Sequence, residues 1–260
     1  TDALPIFKIH ECVSKEKDHS ASVLWSFSKY EKRGSPMNIL AVILAAGFIM
    51  CFLFYQFMKS HVLSNISRAM QKQDYQQVRQ LSEKKLYQKL MGAYVCDLYL
   101  LRALLNEDDG DGFKEYLMVV LDKPYTLEQR KEILDIYYYH FIFKKDQKWS
   151  AKLLKKIQET NDLKYIEYNT EAYEVMIEEK TDLLDDMIAG IENKKYSGLG
   201  LGIAVFMIGM QYLLLDDKEN ARTYFYNSLS CFSEKSFYYA KAKSYVDQLT
   251  DELGADSLNY

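Results

Sequence analysis

The length, composition and charge of the chain favour a sizeable helical domain and argue against nucleic acid as a partner. The chain has 260 residues, a formal net charge of −4, 27% charged residues and 48% hydrophobic residues. A mildly acidic chain has no electrostatic reason to bind a polyanion. Only 3 prolines and 11 glycines occur, so the residues that interrupt helices are scarce. We therefore expect an all-α fold and no nucleic-acid binding.

Residues 1–36 show no clear helical or strand period and carry scattered charge. The run Lys32-Arg33-Gly34 can be encoded by a purine-rich stretch, which resembles a bacterial ribosome-binding site placed shortly before Met37. We interpret residues 1–36 as a translated leader that does not belong to the native protein, and expect Met37 to start the protein. A disordered native tail is the alternative. The segment is excluded from the fold prediction in both cases.

The stretch from Met37 to Met58 contains no charged residue and is predicted to be a transmembrane helix. About 20 helical residues cross a hydrocarbon core of about 30 Å. A helix also satisfies its own backbone hydrogen bonds, which lipid cannot do. A signal peptide is the alternative, but the stretch is long and lacks a small-residue cleavage site. We therefore expect a single-pass protein that contacts membrane lipid through Met37–Met58.

Basic residues dominate the sequence that follows the apolar stretch. Between residues 59 and 89, seven of the nine charged side chains are basic: Lys59, Arg68, Lys72, Arg79, Lys84, Lys85 and Lys89, against Asp74 and Glu83. The positive-inside rule then predicts that the C-terminal domain lies in the cytoplasm, at the cell membrane. Contact of this basic stretch with anionic headgroups is one further interpretation, and an ordinary solvated helix surface is the other.

Beyond Lys59, short polar clusters alternate with amphipathic segments. The clusters lie at Gln73-Asp74, Asp109 to Gly112, Lys145-Asp146, Lys180 to Asp182 and Asp216-Asp217. They recur about every 36 residues, a period typical of stacked helical hairpins, in which each hairpin buries its apolar face only against its neighbours. The apolar spacing predicts three helix pairs: Tyr94–Leu105 with Phe113–Leu121, Leu127–Phe143 with Trp149–Ile157, and Tyr165–Ile177 with Leu183–Ile191.

The last hairpin carries the most specific pattern. Its residues are Val205, Ile208, Gly209, Tyr212, Ala221, Phe225 and Leu229. This pattern resembles the tetratricopeptide repeat (TPR) family, although Ser228 and Ser233 stand where the family usually has Ala and often has Pro. The resemblance implies a TPR-like solenoid of antiparallel helix pairs over residues 59–250, with a concave binding face. The segment Ser236–Leu249 is predicted to cap the stack, with Ala240 among its inward residues, and residues 251–260 to form a tail.

A second uncharged stretch, Ser197 to Leu215, has two interpretations. It is long enough to cross a thin bilayer, and its glycines could pack a second transmembrane helix. However, Gln211 and Tyr212 lie within it and the repeat positions fall on it in register. We therefore prefer a buried helix of the solenoid. The run Gly198-Leu-Gly-Leu-Gly202 could bind phosphate, but no strand precedes it, and a tight turn between helices explains it better.

The resemblance implies that the first helix of each pair lines the concave face. The candidate partner-binding residues predicted there are Tyr94, Tyr99, Arg102, Tyr138, Tyr168 and Tyr173. Aromatic and Arg side chains are common at interfaces, and core packing is the alternative for each tyrosine. The carboxylate pairs Glu178-Glu179 and Asp185-Asp186 are interpreted as solvated charge.

The sequence contains no pattern that predicts catalytic residues, a metal site or a cofactor. We therefore expect a non-enzymatic adaptor or scaffold that binds a protein or peptide partner at the cytoplasmic face of a bacterial membrane. The alternative is a structural subunit of a membrane complex, with a second transmembrane helix at residues 197–215.

Overall fold

A computed structural model describes residues 39–107 and 110–254, and all regular secondary structure in these ranges is helical. The prediction of an all-α fold is confirmed. The twelve helices are α1 Ile39–Gln71, α2 Tyr75–Glu83, α3 Lys85–Met91, α4 Ala93–Asn106, α5 Gly110–Leu121, α6 Leu127–Phe143, α7 Gln147–Gln158, α8 Leu163–Met176, α9 Leu184–Glu192, α10 Leu199–Leu214, α11 Lys218–Leu229 and α12 Phe237–Leu253. The interpretations of residues 1–36, of Met37 and of the tail beyond Gly254 fall outside the described residues.

The chain divides between Tyr125 and Thr126 into two compact units. We call α1 to α5 the N-terminal unit and α6 to α12 the C-terminal unit. Each unit has a core of its own. The division falls next to Pro124, where the chain leaves α5 and has not yet begun α6.

Helix α1 is continuous from its apolar half into the core of the N-terminal unit. Every side chain from Ala41 to Phe57 is exposed, and this helix is long and apolar enough to cross a membrane. Further along the same helix, Val62 and Ile66 are buried against α2, α3 and α4. The apolar half and the first helix of the helical region are therefore one rigid element.

Three of the predicted polar clusters form the same turn. Gln73, Lys145 and Asp216 each have a positive φ, between 53° and 61°, and the aspartate that follows each one caps the next helix. Asp74, Asp146 and Asp217 accept hydrogen bonds from the backbone N–H groups of Gln77, Trp149 and Asn220 at 3.0 to 3.1 Å. A left-handed residue ends one helix and an aspartate starts the next, so these clusters position antiparallel neighbours.

Helix α10 lies at the centre of the C-terminal unit. Its side chains are buried at Gly200 and from Gly202 to Gln211, and it packs against α8, α9 and α11. With 16 residues, it is shorter than the roughly 20 that span a bilayer. This burial on all sides favours the core-helix interpretation of residues 197–215 over a second transmembrane helix.

The final helix, α12, packs on α11 and also reaches α6. Tyr238 donates a hydrogen bond to the Asp135 carbonyl oxygen at 2.5 Å, and its ring meets the Tyr139 ring edge-on at 5.3 Å. Ala240, predicted to face inward, is exposed, and Ala242 is buried instead. The side of α12 that is buried is determined by its contacts with both α6 and α11, rather than by the last hairpin alone.

Candidate functional site

The predicted contact residues of the N-terminal unit are mostly core residues. Tyr99 is only 5% exposed, and its hydroxyl shares a hydrogen bond of 2.8 Å with Ser67 Oγ. Arg102 is 9% exposed. Tyr94 is half-buried, with its ring edge-on to Tyr125 at 5.2 Å. Of these three, only Tyr94 offers a partner an accessible surface.

The same correction applies to Tyr138 in the C-terminal unit. Its side chain has no exposed surface, and its hydroxyl donates to the Asn169 carbonyl oxygen at 2.7 Å. Burial raises the pKa of Tyr138 well above its ordinary value, so the group acts as a neutral hydrogen-bond donor. Tyr168 and Tyr173 are half-buried and, with Tyr94, remain predicted partner contacts.

Tyrosines with paired hydroxyls fill the space between α6 and α8. Tyr139 donates to Asn169 Oδ1 at 2.9 Å, and Asn169 Nδ2 donates to the Tyr165 carbonyl oxygen at 2.7 Å. Tyr165 in turn donates to Asp135 Oδ1 at 3.0 Å. A buried amide with both ends paired is stabilising. These tyrosines therefore hold α6 and α8 together.

A second buried network surrounds Asp97 in the N-terminal unit. This carboxylate is 4% exposed and accepts hydrogen bonds from the hydroxyls of Tyr116 at 2.8 Å and Tyr125 at 2.6 Å. Lys123 forms an ion pair with it. Burial, and then the hydrogen bond to Asp97, raise the pKa values of both tyrosines. The network ties the segment that leaves α5 to α4, so we assign it to structure.

An open cleft lies between α8 and α9 in the C-terminal unit. Its volume is about 610 Å³. The predicted pair α8 and α9 does not pack closely, because the buried side of α9 faces α10, where Gln211 Nε2 lies 3.3 Å from Met187 Sδ. The cleft is lined by Glu167, Thr170, Glu171, Glu174, Leu183, Asp186, Met187, Ala189, Gly190, Asn193 and Lys195.

The lining of this cleft is acidic. Four carboxylates and one ammonium group face it, so the lining residues have a formal charge of −3. Lys195 bridges Glu167 and Glu171 at 3.1 Å from each, and Tyr196 donates to Glu171 at 2.9 Å. Burial raises the pKa of Glu171, although the hydrogen bonds from Lys195 and Tyr196 oppose this. Burial lowers the pKa of Lys195, but its two carboxylate partners more than offset that effect and raise it. Lys180 pairs with Glu174 at 2.8 Å, so Asp186 is the lining carboxylate that forms no ion pair among the described residues, and it is the group that a cationic side chain would meet.

None of the six predicted contact residues lines the cleft. The sequence does contain a signal for it. Glu167, Glu171 and Glu174 are spaced i, i+4 and i+7 along α8, so they share one helix face. Asp186, interpreted from the sequence as solvated charge, faces them from α9.

The glycine run before α10 accommodates aromatic rings. A Cβ atom added at Gly200 would lie 2.8 Å from the Tyr168 ring, and one at Gly202 would lie 2.4 Å from the Phe232 ring. Gly198 has a φ of 54° at the start of the helix. These observations support the interpretation of a tight turn, because the missing side chains let neighbouring rings pack against the backbone.

Within residues 39–107 and 110–254, no group of three or more His, Cys, Asp or Glu side chains is arranged to hold a metal ion. Comparison of the chain with protein-family models, with curated proteins and with solved structures gives no match. The function must therefore be argued from the geometry of this chain.

Proposed function

We propose that the chain is a membrane-anchored, TPR-like adaptor that binds a protein or peptide partner at the cytoplasmic face of a bacterial membrane. The observation that carries the proposal is the continuity of α1. One half of this helix exposes apolar side chains all round, including Phe48 at 77% and Phe57 at 66%, and the other half is built into the N-terminal unit. Such a helix would hold the N-terminal unit against the bilayer.

The TPR-like assignment is supported by the last hairpin. A Cβ atom added at Gly209 would lie 2.9 Å from the Phe225 ring and 3.3 Å from the Ala221 carbonyl oxygen. Ala221 and Phe225 are themselves fully buried. The small residues thus lie where α10 and α11 pack closely, as the family pattern implies. The turns at Gln73, Lys145 and Asp216 lie 72 and 71 residues apart, about two of the predicted 36-residue units, and a turn of the same kind at Asn161 lies outside that spacing.

The partner site that the geometry favours is the acidic cleft of the C-terminal unit. A cleft of about 610 Å³ is in the range that encloses a side chain or a short peptide segment. Its charge favours a segment that carries Lys or Arg. The chemistry proposed is binding without catalysis.

Anchoring and sidedness can be tested in bacterial cells that express the full chain with a C-terminal tag. We expect the protein to resist alkaline extraction from membranes. We expect protease to remove the tag only after sealed spheroplasts are lysed. Phe48→Asp with Phe52→Asp should release the protein, because each charge at the centre of a span costs about 3 kcal/mol. A tag cleaved in intact spheroplasts would refute the cytoplasmic assignment.

Partner binding can be tested by affinity capture from native membranes followed by mass spectrometry. Asp186→Lys and Asp185→Lys form a matched pair, because both residues are exposed on α9 and only Asp186 lines the cleft. We expect proteins enriched by the wild type to be lost with Asp186→Lys and kept with Asp185→Lys. Equal capture by both variants would exclude the cleft, and no enriched protein at all would exclude an adaptor.

A further inference from the structure

The short helix α3 turns a basic face with one apolar side chain to the outside of the N-terminal unit. Its inward side chains, Tyr87 and Met91, belong to the core shared with α1. On the outward side, Lys85 and Lys89 are exposed, and Leu86 between them is 52% exposed. An exposed leucine between lysines can enter the edge of a bilayer while the lysine side chains reach anionic headgroups.

The lysines of this face are available for binding. Within the described part of the chain, Lys84, Lys85 and Lys89 form no ion pair, and all three are exposed. The one acidic side chain close to them in sequence is Glu83. The face therefore carries a net positive charge that the fold does not neutralise.

The position of α3 follows from the turn at Gln73. Helix α2 begins after this turn and packs back along α1, so the chain returns toward the apolar half of α1. Along the axis of α1, Lys72 lies about 21 Å beyond Met58. From Asp74 to Lys84 the chain runs about 15 Å in the opposite direction, back toward the level of Met58. Lys84 therefore lies within about 10 Å of the level at which the apolar stretch ends.

This level coincides with the lipid headgroups if α1 crosses the membrane. The headgroup region on each side of a bilayer is about 5 to 8 Å thick. Arg68 and Lys72, which are equally exposed, lie at the far end of α1, about 15 to 21 Å from the same level. Lys84 thus lies near the depth of the headgroups, whereas Arg68 and Lys72 lie beyond it.

We propose that Lys84, Lys85, Leu86 and Lys89 form a second membrane contact, which docks the N-terminal unit on an anionic bilayer surface. The lysines bind lipid phosphates and Leu86 enters the interface. The inference rests on the membrane anchoring proposed above. Two contacts, one through the α1 span and one through α3, would fix the tilt of α1 and the N-terminal unit on the membrane, whereas with the span alone the helix and the unit can tilt together.

The test is hydrogen–deuterium exchange of the full chain in nanodiscs of phosphatidylcholine and in nanodiscs that contain equal parts of phosphatidylglycerol. Each lysine near an anionic surface strengthens contact about fivefold. We therefore expect the amides from Leu86 to Met91 to exchange at least about fivefold more slowly in the anionic nanodiscs. High salt should remove this difference, because it screens the charges.

Two double variants with the same change in charge locate the contact. Lys84→Gln with Lys85→Gln should abolish the slowing in anionic nanodiscs. Arg68→Gln with Lys72→Gln, at the far end of the unit, should keep it. If both variants abolish the slowing equally, the effect is one of net charge and the assignment to α3 is wrong.

Exchange in the apolar half of α1 separates failure of this inference from failure of the anchor. If the amides from Ile43 to Phe57 are protected in both lipids but those of α3 exchange equally in both, the anchor stands and the docking of α3 is refuted. If Ile43 to Phe57 exchange freely in both, the anchoring is refuted and the docking falls with it. Slowing of α3 that requires an added protein rather than anionic lipid would also overturn the proposal.

Discussion

Protonation of His140 is expected to destabilise the C-terminal unit at mildly acidic pH. This half-buried residue lies on α6, next to the Phe141 ring. Burial lowers the pKa of His140 to about 4, and the charge of Lys144, the residue that follows α6, acts in the same direction. In the unfolded chain the pKa returns to about 6.5. Between these values the unfolded state binds more protons, so the free energy of unfolding falls as the pH falls.

The size of this effect follows from the two pKa values. A difference of about 2.5 pH units is equivalent to about 3 kcal/mol when it is fully developed. Water reaches part of the imidazole, so we expect about 2 kcal/mol to be lost between about pH 7 and pH 4.5. The stabilisation is complete above about pH 6.5 and is lost as the pH approaches the folded-state pKa.

The assay is urea unfolding of the full chain in detergent, followed by far-ultraviolet circular dichroism at several pH values. Carboxylates titrate in the same range, so the informative quantity is the difference between variant and wild type. His140→Gln should reduce the loss at low pH by about 2 kcal/mol. Lys144→Gln should reduce it by less than half, because burial is the larger cause. An unchanged pH dependence in His140→Gln would refute the reasoning, and equal effects of both variants would assign the shift to charge rather than burial.

Three further predictions concern buried contacts, each measured as the change in the free energy of unfolding. Asp97→Ala leaves Lys123 and two tyrosine hydroxyls without their acceptor and should lower the free energy of unfolding by about 3 kcal/mol. Asp97→Asn should lower it by less. A loss below about 1 kcal/mol in the alanine variant would show that the network is dispensable. Gly202→Ala places a methyl group against the Phe232 ring and should cost about 1 to 3 kcal/mol, partly restored by adding Phe232→Leu. Gly47→Ala is the control, because nothing lies within 4 Å of the new Cβ; it should not lower stability, since alanine favours a helix more than glycine does. Gln211→Met should raise stability by about 1 kcal/mol, because Gln211 Oε1 is buried with no partner among the described residues; a loss would mean that this oxygen is paired with water.

The burial of Tyr138 changes how partner binding should be tested. Replacing it with alanine removes a fully buried ring, which costs about 3 to 5 kcal/mol for large aromatic side chains. Loss of a partner from such a variant would report unfolding rather than a lost contact. Tyr173, which is half-buried, is the better position for that substitution.

The positions of the helices and of their ends are determined by residues that are close together in the sequence. The 3.6-residue apolar period marks the predicted segments, and their limits agree with the observed helices to within a few residues, for example Leu127–Phe143 for α6. The aspartates at positions 74, 146 and 217 mark the turns because a capping side chain contacts a backbone group only three residues away. The length of the apolar stretch likewise depends only on adjacent residues.

Burial and grouping of side chains were decided by the tertiary structure. The predicted groove residues Tyr99, Arg102 and Tyr138 are buried, because helices distant in sequence cover them. The cleft exists because α9 packs on α10 and leaves α8, and Tyr238 meets Asp135 across 103 residues of sequence. Periodicity shows which face of a helix is apolar, but the contacts that cover that face come from other helices. The sequence by itself therefore determined the helices, turns and apolar stretch, and packing between remote segments decided which side chains remain accessible to a partner.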